Sequence, residues 1–74
     1  MTRLPRLTGK EIVSVLRKLG FRTIRQRGSH IYLRHPDGRA TVIPIHSGEI
    51  IGPGLTHKIL TDAEIERDEF AKYT

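Results

Sequence analysis

Residues 25–44, RQRGSHIYLRHPDGRATVIP, hold two turn signals between three short stretches of strand-forming residues. The first signal is the pair GS, in which Gly28 readily adopts backbone angles that other residues avoid. The second is HPDG, where Pro36 fixes one turn angle while Asp37 and Gly38 tolerate the positive φ of a tight hairpin. The segment therefore predicts an antiparallel meander with strands at residues 21–27, 30–34 and 39–45.

A helix is predicted upstream of this meander, over residues 9–19. Thr8 and Glu11 have the spacing of a capping box, in which each residue satisfies a backbone N–H of the other. Gly20 stands where a left-handed residue commonly ends a helix. Apolar residues then recur on one helical face, at Ile12, Val15, Leu16 and Leu19.

Downstream of the meander, residues 46–54 (HSGEIIGPG) read as a loop. Pro53 suits the first turn of a second helix, whose apolar stripe comprises Leu55, Ile59, Leu60 and Ala63. A short last helix is predicted within residues 64–74, although Glu64 stands where a helix-ending glycine is more typical.

The element order predicts an α+β fold, α-β-β-β-α, in one domain over residues 1–74. A three-stranded antiparallel sheet carries its helices on one face and leaves the other face open to solvent. Side chains alternate along a strand. If Ile31 and Leu33 face the helices, then His30, Tyr32 and Arg34 lie on the open face.

The charge of the chain is divided unevenly between its halves. Residues 1–39 hold ten Lys or Arg, including Arg3, against two acidic residues, a net of +8. Residues 40–74 hold three basic and six acidic residues, a net of −3. Such a basic half indicates a polyanionic partner, with nucleic acid first and a membrane surface second, or simply a solvated surface.

Composition narrows the setting in which the chain works. It has no cysteine, which excludes disulfides and thiolate zinc sites and fits a reducing cytoplasm. No apolar stretch approaches the roughly 18 residues that span a bilayer. The basic N-terminus lacks the apolar segment of a secretory signal. We therefore expect a cytoplasmic protein.

His30 is the first candidate for chemistry, because an exposed imidazole can accept or donate a proton near neutral pH. Beside arginines that hold phosphates, it suits RNA cleavage, in which the 2′-OH loses a proton and the 5′-oxygen gains one. The alternative is a turn histidine without a role. The four histidines lack metal-ligand spacing, so we expect no metal or other cofactor. Ser29 lacks the partners of a nucleophile.

Three segments together resemble the HicA toxin family over almost the whole chain: LTGKEIVSVLRKLGF, RQRGSHIYLRHPDGR and TVIPIHSGEIIGPGLTHKIL. The most specific piece is G-S-H-x-x-x-R-H-P-D-G, followed by a proline-containing strand and a histidine loop. The resemblance implies a fold similar to the double-stranded-RNA-binding domain. It also implies a ribonuclease toxin that cuts messenger RNA until a HicB antitoxin binds it.

In that family the histidine of the G-S-H motif is catalytic, and this role falls on His30. Two differences from the family stand out: Ile31 occupies a position where many relatives carry a second histidine, and Glu64 replaces a usual glycine. Long-duplex binding is not expected, because the second helix lacks the basic start of double-stranded-RNA-binding domains. Direct DNA binding by this chain is not expected either. The candidate RNA-binding residues are Lys10, Arg25, Arg27, Gly28, Ser29, Tyr32 and Arg34.

The residues themselves leave two other functions open. One is a module of the same fold that binds RNA without cutting it, and the other is a domain whose basic face meets an acidic protein. The first predicts RNA binding that does not depend on His30. The second predicts no RNA retention even at low salt.

Overall fold

The computed structural model describes residues 4–74, which contain three helices and three strands. The strands form one antiparallel sheet in the order β1-β2-β3. This confirms the predicted α-β-β-β-α order and the predicted short last helix; Arg3 lies outside the described residues. In chain order the elements are α1 (Gly9–Lys18), β1 (Arg22–Arg27), β2 (His30–Arg34), β3 (Ala40–Pro44), α2 (Pro53–Asp62) and α3 (Arg67–Ala71).

The core lies between the helices and one face of the sheet. Leu33 pairs with Thr41 and Ile31 pairs with Ile43, so all four side chains share the face that packs on the helices. Leu33 and Ile43 are fully buried, as the predicted alternation along β2 requires. Other residues in the core include Ile12, Leu16, Phe21, Ile59, Ala63 and Phe70.

The first strand extends beyond the helical layer. Helices α1 and α2 pack mainly against β3, at the opposite side of the sheet. Every residue of β1 is exposed, in contrast to the buried positions in β2 and β3. The strand bounds agree with the prediction to within one residue at each end. The β1 edge of the sheet is therefore exposed to solvent on both faces.

The start of α1 has the predicted capping box. The Thr8 amide donates to Glu11 Oε1 at 2.9 Å, and the Glu11 amide donates to Thr8 Oγ1 at 3.3 Å. The helix ends at Lys18, one residue earlier than predicted, and Leu19 is its C-cap. The local sequence signal thus places this helix correctly.

The second hairpin loop corrects one detail of the prediction. Gly38 has a positive φ of 101°, but Asp37 does not, since Glu64 is the one non-glycine residue of the described range with positive φ. The carboxylate of Asp37 instead accepts hydrogen bonds from the amide of Arg39 at 3.0 Å and from its Nε at 2.8 Å. The loop closes through His35, whose amide donates to the Arg39 carbonyl at 2.8 Å.

Glu64 ends α2 in the left-handed conformation, with φ of 54°. The Ile65 amide donates to the Leu60 carbonyl at 2.9 Å, and the Glu64 amide donates to the Thr61 carbonyl at 3.1 Å. This pair of bonds forms a Schellman motif, whose left-handed position is usually glycine. The last helix, predicted within 64–74, is shorter, because α3 covers only Arg67–Ala71.

Candidate nucleic-acid interface and active site

The strand register places a row of basic side chains on the open face of the sheet. Directly paired residues of antiparallel strands project from the same face. Arg27 pairs with His30, and Arg25 pairs with Tyr32. All of these are exposed except Tyr32, which is half-buried. The predicted candidates His30, Tyr32, Arg25, Arg27 and Arg34 are thus brought together on one surface.

A β-bulge adds an arginine that the sequence alone did not indicate. The register of β1 shifts between Thr23 and Arg25, which leaves Ile24 as the extra residue. Strict alternation would put Arg22 and Arg25 on opposite faces, but Arg22 pairs with Arg34 and so joins the open face. In a regular strand with Arg25 and Arg27 on the open face, Ile24 would lie on the face that packs on the helices, yet its side chain is 58% accessible.

The G-S-H motif forms the tight turn that begins β2. Because Arg27 pairs with His30, only Gly28 and Ser29 make the loop, and Gly28 has a φ of 56°. Glycine at the first of two loop positions is typical of a II′ hairpin turn. The Ser29 carbonyl accepts a hydrogen bond from the Ile45 amide, which ties the turn to the end of β3.

The imidazole of His30 is free to meet a ligand. The residue is exposed, and its side chain makes no hydrogen bond or ion pair with any other residue between 4 and 74. Its backbone is fixed by pairing on both sides, with Arg27 of β1 and Pro44 of β3. An exposed proton-transfer group is therefore held on a rigid strand beside guanidinium groups.

Tyr32 does not offer a bare ring for base stacking. The guanidinium carbon of Arg25 lies 4.6 Å from the centroid of the Tyr32 ring, a cation–π contact. Guanidinium planes can themselves stack on bases and also donate to phosphate oxygens. The pair therefore presents the Arg25 guanidinium, supported by the ring, as a contact surface.

Lys10 lies apart from the basic side chains on the open face of the sheet. It is exposed near the start of α1, and α1 packs on the opposite face of the sheet. The neighbouring Gly9 lies so close to the Pro44 carbonyl that a Cβ would clash there. Since Pro44 pairs with His30, the start of α1 lies at the same end of the sheet as the G-S-H turn.

Two other arginines serve the fold. Arg39 binds the Asp37 carboxylate, and its guanidinium lies 5.3 Å from the Phe21 ring centroid. Arg17 Nη2 donates to Thr23 Oγ1 at 2.9 Å. The structure therefore separates these two arginines, which serve the fold, from the open-face group, which consists of Arg22, Arg25, Arg27 and Arg34.

The remaining histidines lie in different settings. His35 belongs to the second hairpin, where its ring meets the Phe21 ring edge-on at 5.2 Å and its Nδ1 accepts from the Asp37 amide. His46 follows β3, and His57 is exposed on α2. Within residues 4–74, no three His, Asp or Glu side chains come together as a metal-ligand group. No helix in that range has the length and apolar character to cross a membrane.

The architecture and the site define a small α+β domain with an open, arginine-rich sheet face that carries one exposed histidine. A comparison with known protein families assigns the chain to one of them. The sequence model of the HicA family, described as the HicA toxin of bacterial toxin–antitoxin systems, matches residues 9–65. The chain belongs to this family, and the match runs from α1 to the residue after the Glu64 turn. The search of curated proteins found no match to the chain.

Proposed function

We propose that this toxin is an endoribonuclease that cleaves messenger RNA in the cytoplasm, with His30 as a general acid/base. The observation that carries the proposal is the register of β1 and β2, which sets the exposed His30 directly opposite Arg27 in the open-face group. Guanidinium groups bind the phosphate backbone, and the imidazole transfers protons at the bound phosphodiester.

The proposed reaction uses the RNA's own 2′-OH as nucleophile. The 2′-oxygen loses its proton, attacks the adjacent phosphorus and displaces the 5′-oxygen, which takes up a proton. The products are a 2′,3′-cyclic phosphate and a 5′-hydroxyl. Proton transfer of this kind by histidine needs no metal ion, so we propose a metal-independent enzyme.

The proposed inhibitor is a HicB-like antitoxin that covers the open face. Four arginines on one exposed surface favour a partner with acidic side chains at matching positions. Such a partner would shield His30 and compete with RNA for the same guanidinium groups. Inhibition would then weaken as ionic strength rises, because exposed charge pairs are screened.

The test is incubation of the purified chain with a labelled single-stranded RNA in excess EDTA. We expect cleavage by the wild type, and a rate lower by about 10²–10⁴-fold for His30→Ala. His57→Ala is the matched control, because it removes an exposed histidine from α2. Cleavage that requires added Mg²⁺, or that is equal in His30→Ala, would contradict the proposal.

The open-face group equally supports a second candidate, a module that binds RNA without cleaving it. Binding by arginines to phosphates depends on salt and not on His30. This candidate would be favoured if wild type and His30→Ala retained RNA equally and neither cut it. No retention at low salt would favour a domain that meets only an acidic protein.

A further inference from the structure

The further inference deepens the proposed ribonuclease activity and rests on it. Cleavage by the 2′-OH needs two proton transfers, one from the attacking oxygen and one to the leaving oxygen. These oxygens lie on opposite sides of the phosphorus during an in-line displacement. Two separate groups can serve both at once, whereas one imidazole must serve them in turn.

The end of β3 brings a second histidine toward the G-S-H turn. His30 pairs with Pro44, and the hydrogen bond from the Ile45 amide to the Ser29 carbonyl extends the pairing by one residue. Ile45 packs against the core. Because side chains alternate along an extended chain, His46 returns to the side that Pro44 and His30 share.

The same register sets the spacing between the two histidines. β3 ends at Pro44, and with the strand register continued for two more residues His46 would stand diagonally across from His30. Diagonal neighbours in an antiparallel ladder are about 7–8 Å apart. Two imidazoles reaching toward each other from such positions can contact opposite sides of one phosphate group.

A turn holds the backbone of His46 beside the ladder. The Glu49 amide donates to the His46 carbonyl at 2.9 Å, and Gly48 takes a positive φ of 73° within this turn. The His46 side chain is exposed. The other two histidines are placed differently, since His35 closes the far hairpin and His57 lies on α2.

We propose that His46 is a second catalytic residue and that His30 and His46 divide the two proton transfers. One neutral imidazole accepts the proton of the 2′-OH as the 2′-oxygen bonds to phosphorus. The other, as an imidazolium, donates its proton to the 5′-oxygen as the bond from phosphorus to that oxygen breaks. The enzyme then needs one proton exchange with water to return to its starting state.

The test compares two RNA substrates that differ at the leaving atom. One has the normal 5′-oxygen at the cleavage site, and the other has sulfur there, which departs without protonation. With the oxygen substrate, we expect His46→Ala and His30→Ala each to lower kcat by about 10²–10⁴-fold. With the sulfur substrate, the variant that lacks the acid should return close to the wild-type rate, and the other variant should not.

His57→Ala is the matched control, and the melting temperature of each variant verifies folding. The inference is overturned if His46→Ala cleaves like His57→Ala, if its loss lies in KM alone, or if sulfur restores neither variant. In each of these results the wild type still cleaves RNA, so the proposed function stands. Absence of cleavage by the wild type on both substrates would reject the proposed function and this inference together.

Discussion

The Arg39 guanidinium donates through Nη1 to the carbonyl oxygen of Glu64 at 3.3 Å and to that of Ala63 at 3.2 Å. These bonds connect the second hairpin to the left-handed turn that ends α2. The same side chain binds Asp37 and lies over Phe21. Arg39 therefore joins a hairpin, a helix end and the core, and it takes no part in the open-face group.

Replacing Glu64 by glycine should stabilise the protein. The left-handed backbone conformation costs about 1–2 kcal/mol for a residue with a Cβ, and glycine avoids this cost. Glycine also raises the conformational entropy of the unfolded chain, which offsets part of the gain. We expect a net gain of about 1 kcal/mol, or a melting temperature higher by about 4–8 °C. Glu64→Ala is the control, since it removes the charge and keeps the Cβ. An equal gain in both variants would assign the effect to charge.

Substitutions of Arg39 and Arg34 should have different effects, one on stability and the other on RNA binding. Arg39→Ala removes bonds to two carbonyls and a carboxylate, which should lower the free energy of unfolding by about 1–3 kcal/mol. Arg34→Ala removes an exposed open-face side chain and should weaken RNA binding with little effect on stability. Urea unfolding and RNA titration measure the two effects. A stable Arg39→Ala variant would show that the Glu64 turn needs no such support.

Gly9→Ala should disturb the contact between α1 and the end of β3. The added Cβ would clash with the Pro44 carbonyl and approach Ile45 Cδ1 to 2.9 Å. We expect destabilisation by about 1–3 kcal/mol from overpacking. Gly54→Ala in α2 meets no atom within 4 Å and should instead stabilise by about 0.5–1 kcal/mol. Thermal unfolding of both variants checks this contrast, and a loss of stability in both would argue against the clash.

Acid should weaken two local contacts. The hydrogen bond from the Thr8 amide lowers the pKa of Glu11 from 4.5, and the bond from the Arg39 amide lowers the pKa of Asp37 from 3.8. A carboxyl with a lowered pKa contributes stability that is complete above its unfolded-state pKa and is lost as pH falls through the folded-state value. Melting temperatures between pH 7 and pH 2 should therefore drop at the acid end.

The double variant Glu11→Gln, Asp37→Asn is the control for this pH dependence. It should be less stable than the wild type at pH 7, and the difference should shrink as pH falls below about 4, where the wild-type carboxyls become protonated. A constant difference across that range would mean that neither carboxylate charge contributes to stability.

Arg22 provides a test of the bulge-made surface, on the premise that the toxin binds RNA. In the His30→Ala background, which keeps the RNA intact, Arg22→Gln should weaken binding and flatten the salt dependence by about 0.7 in the log–log slope. Arg67→Gln removes the same charge from α3 and should leave both quantities unchanged. Equal effects of the two variants would indicate binding by net charge rather than by the open face.

Elements that depend on neighbouring residues could be predicted from the amino-acid sequence. The capping box of Thr8 and Glu11 marks the start of α1, and the GS and HPDG turns separate the strands where predicted. These signals work because caps and turns are decided by short-range hydrogen bonds and by allowed backbone angles. Alternation along β2 also predicted His30 on the open face, because Ile31 and Leu33 point toward the core and the residues between them must point away from it.

The way in which distant residues combine could not be predicted from the sequence, because it depends on the packed fold. The bulge at Ile24 moved Arg22 onto the open face, and the pairing of β2 with β3 set Pro44, two residues before His46, opposite His30. Arg39 donates hydrogen bonds to carbonyls that lie 24 and 25 residues away in the chain. Such choices follow from strand register and from packing against the helices, which bring together groups that no local pattern relates.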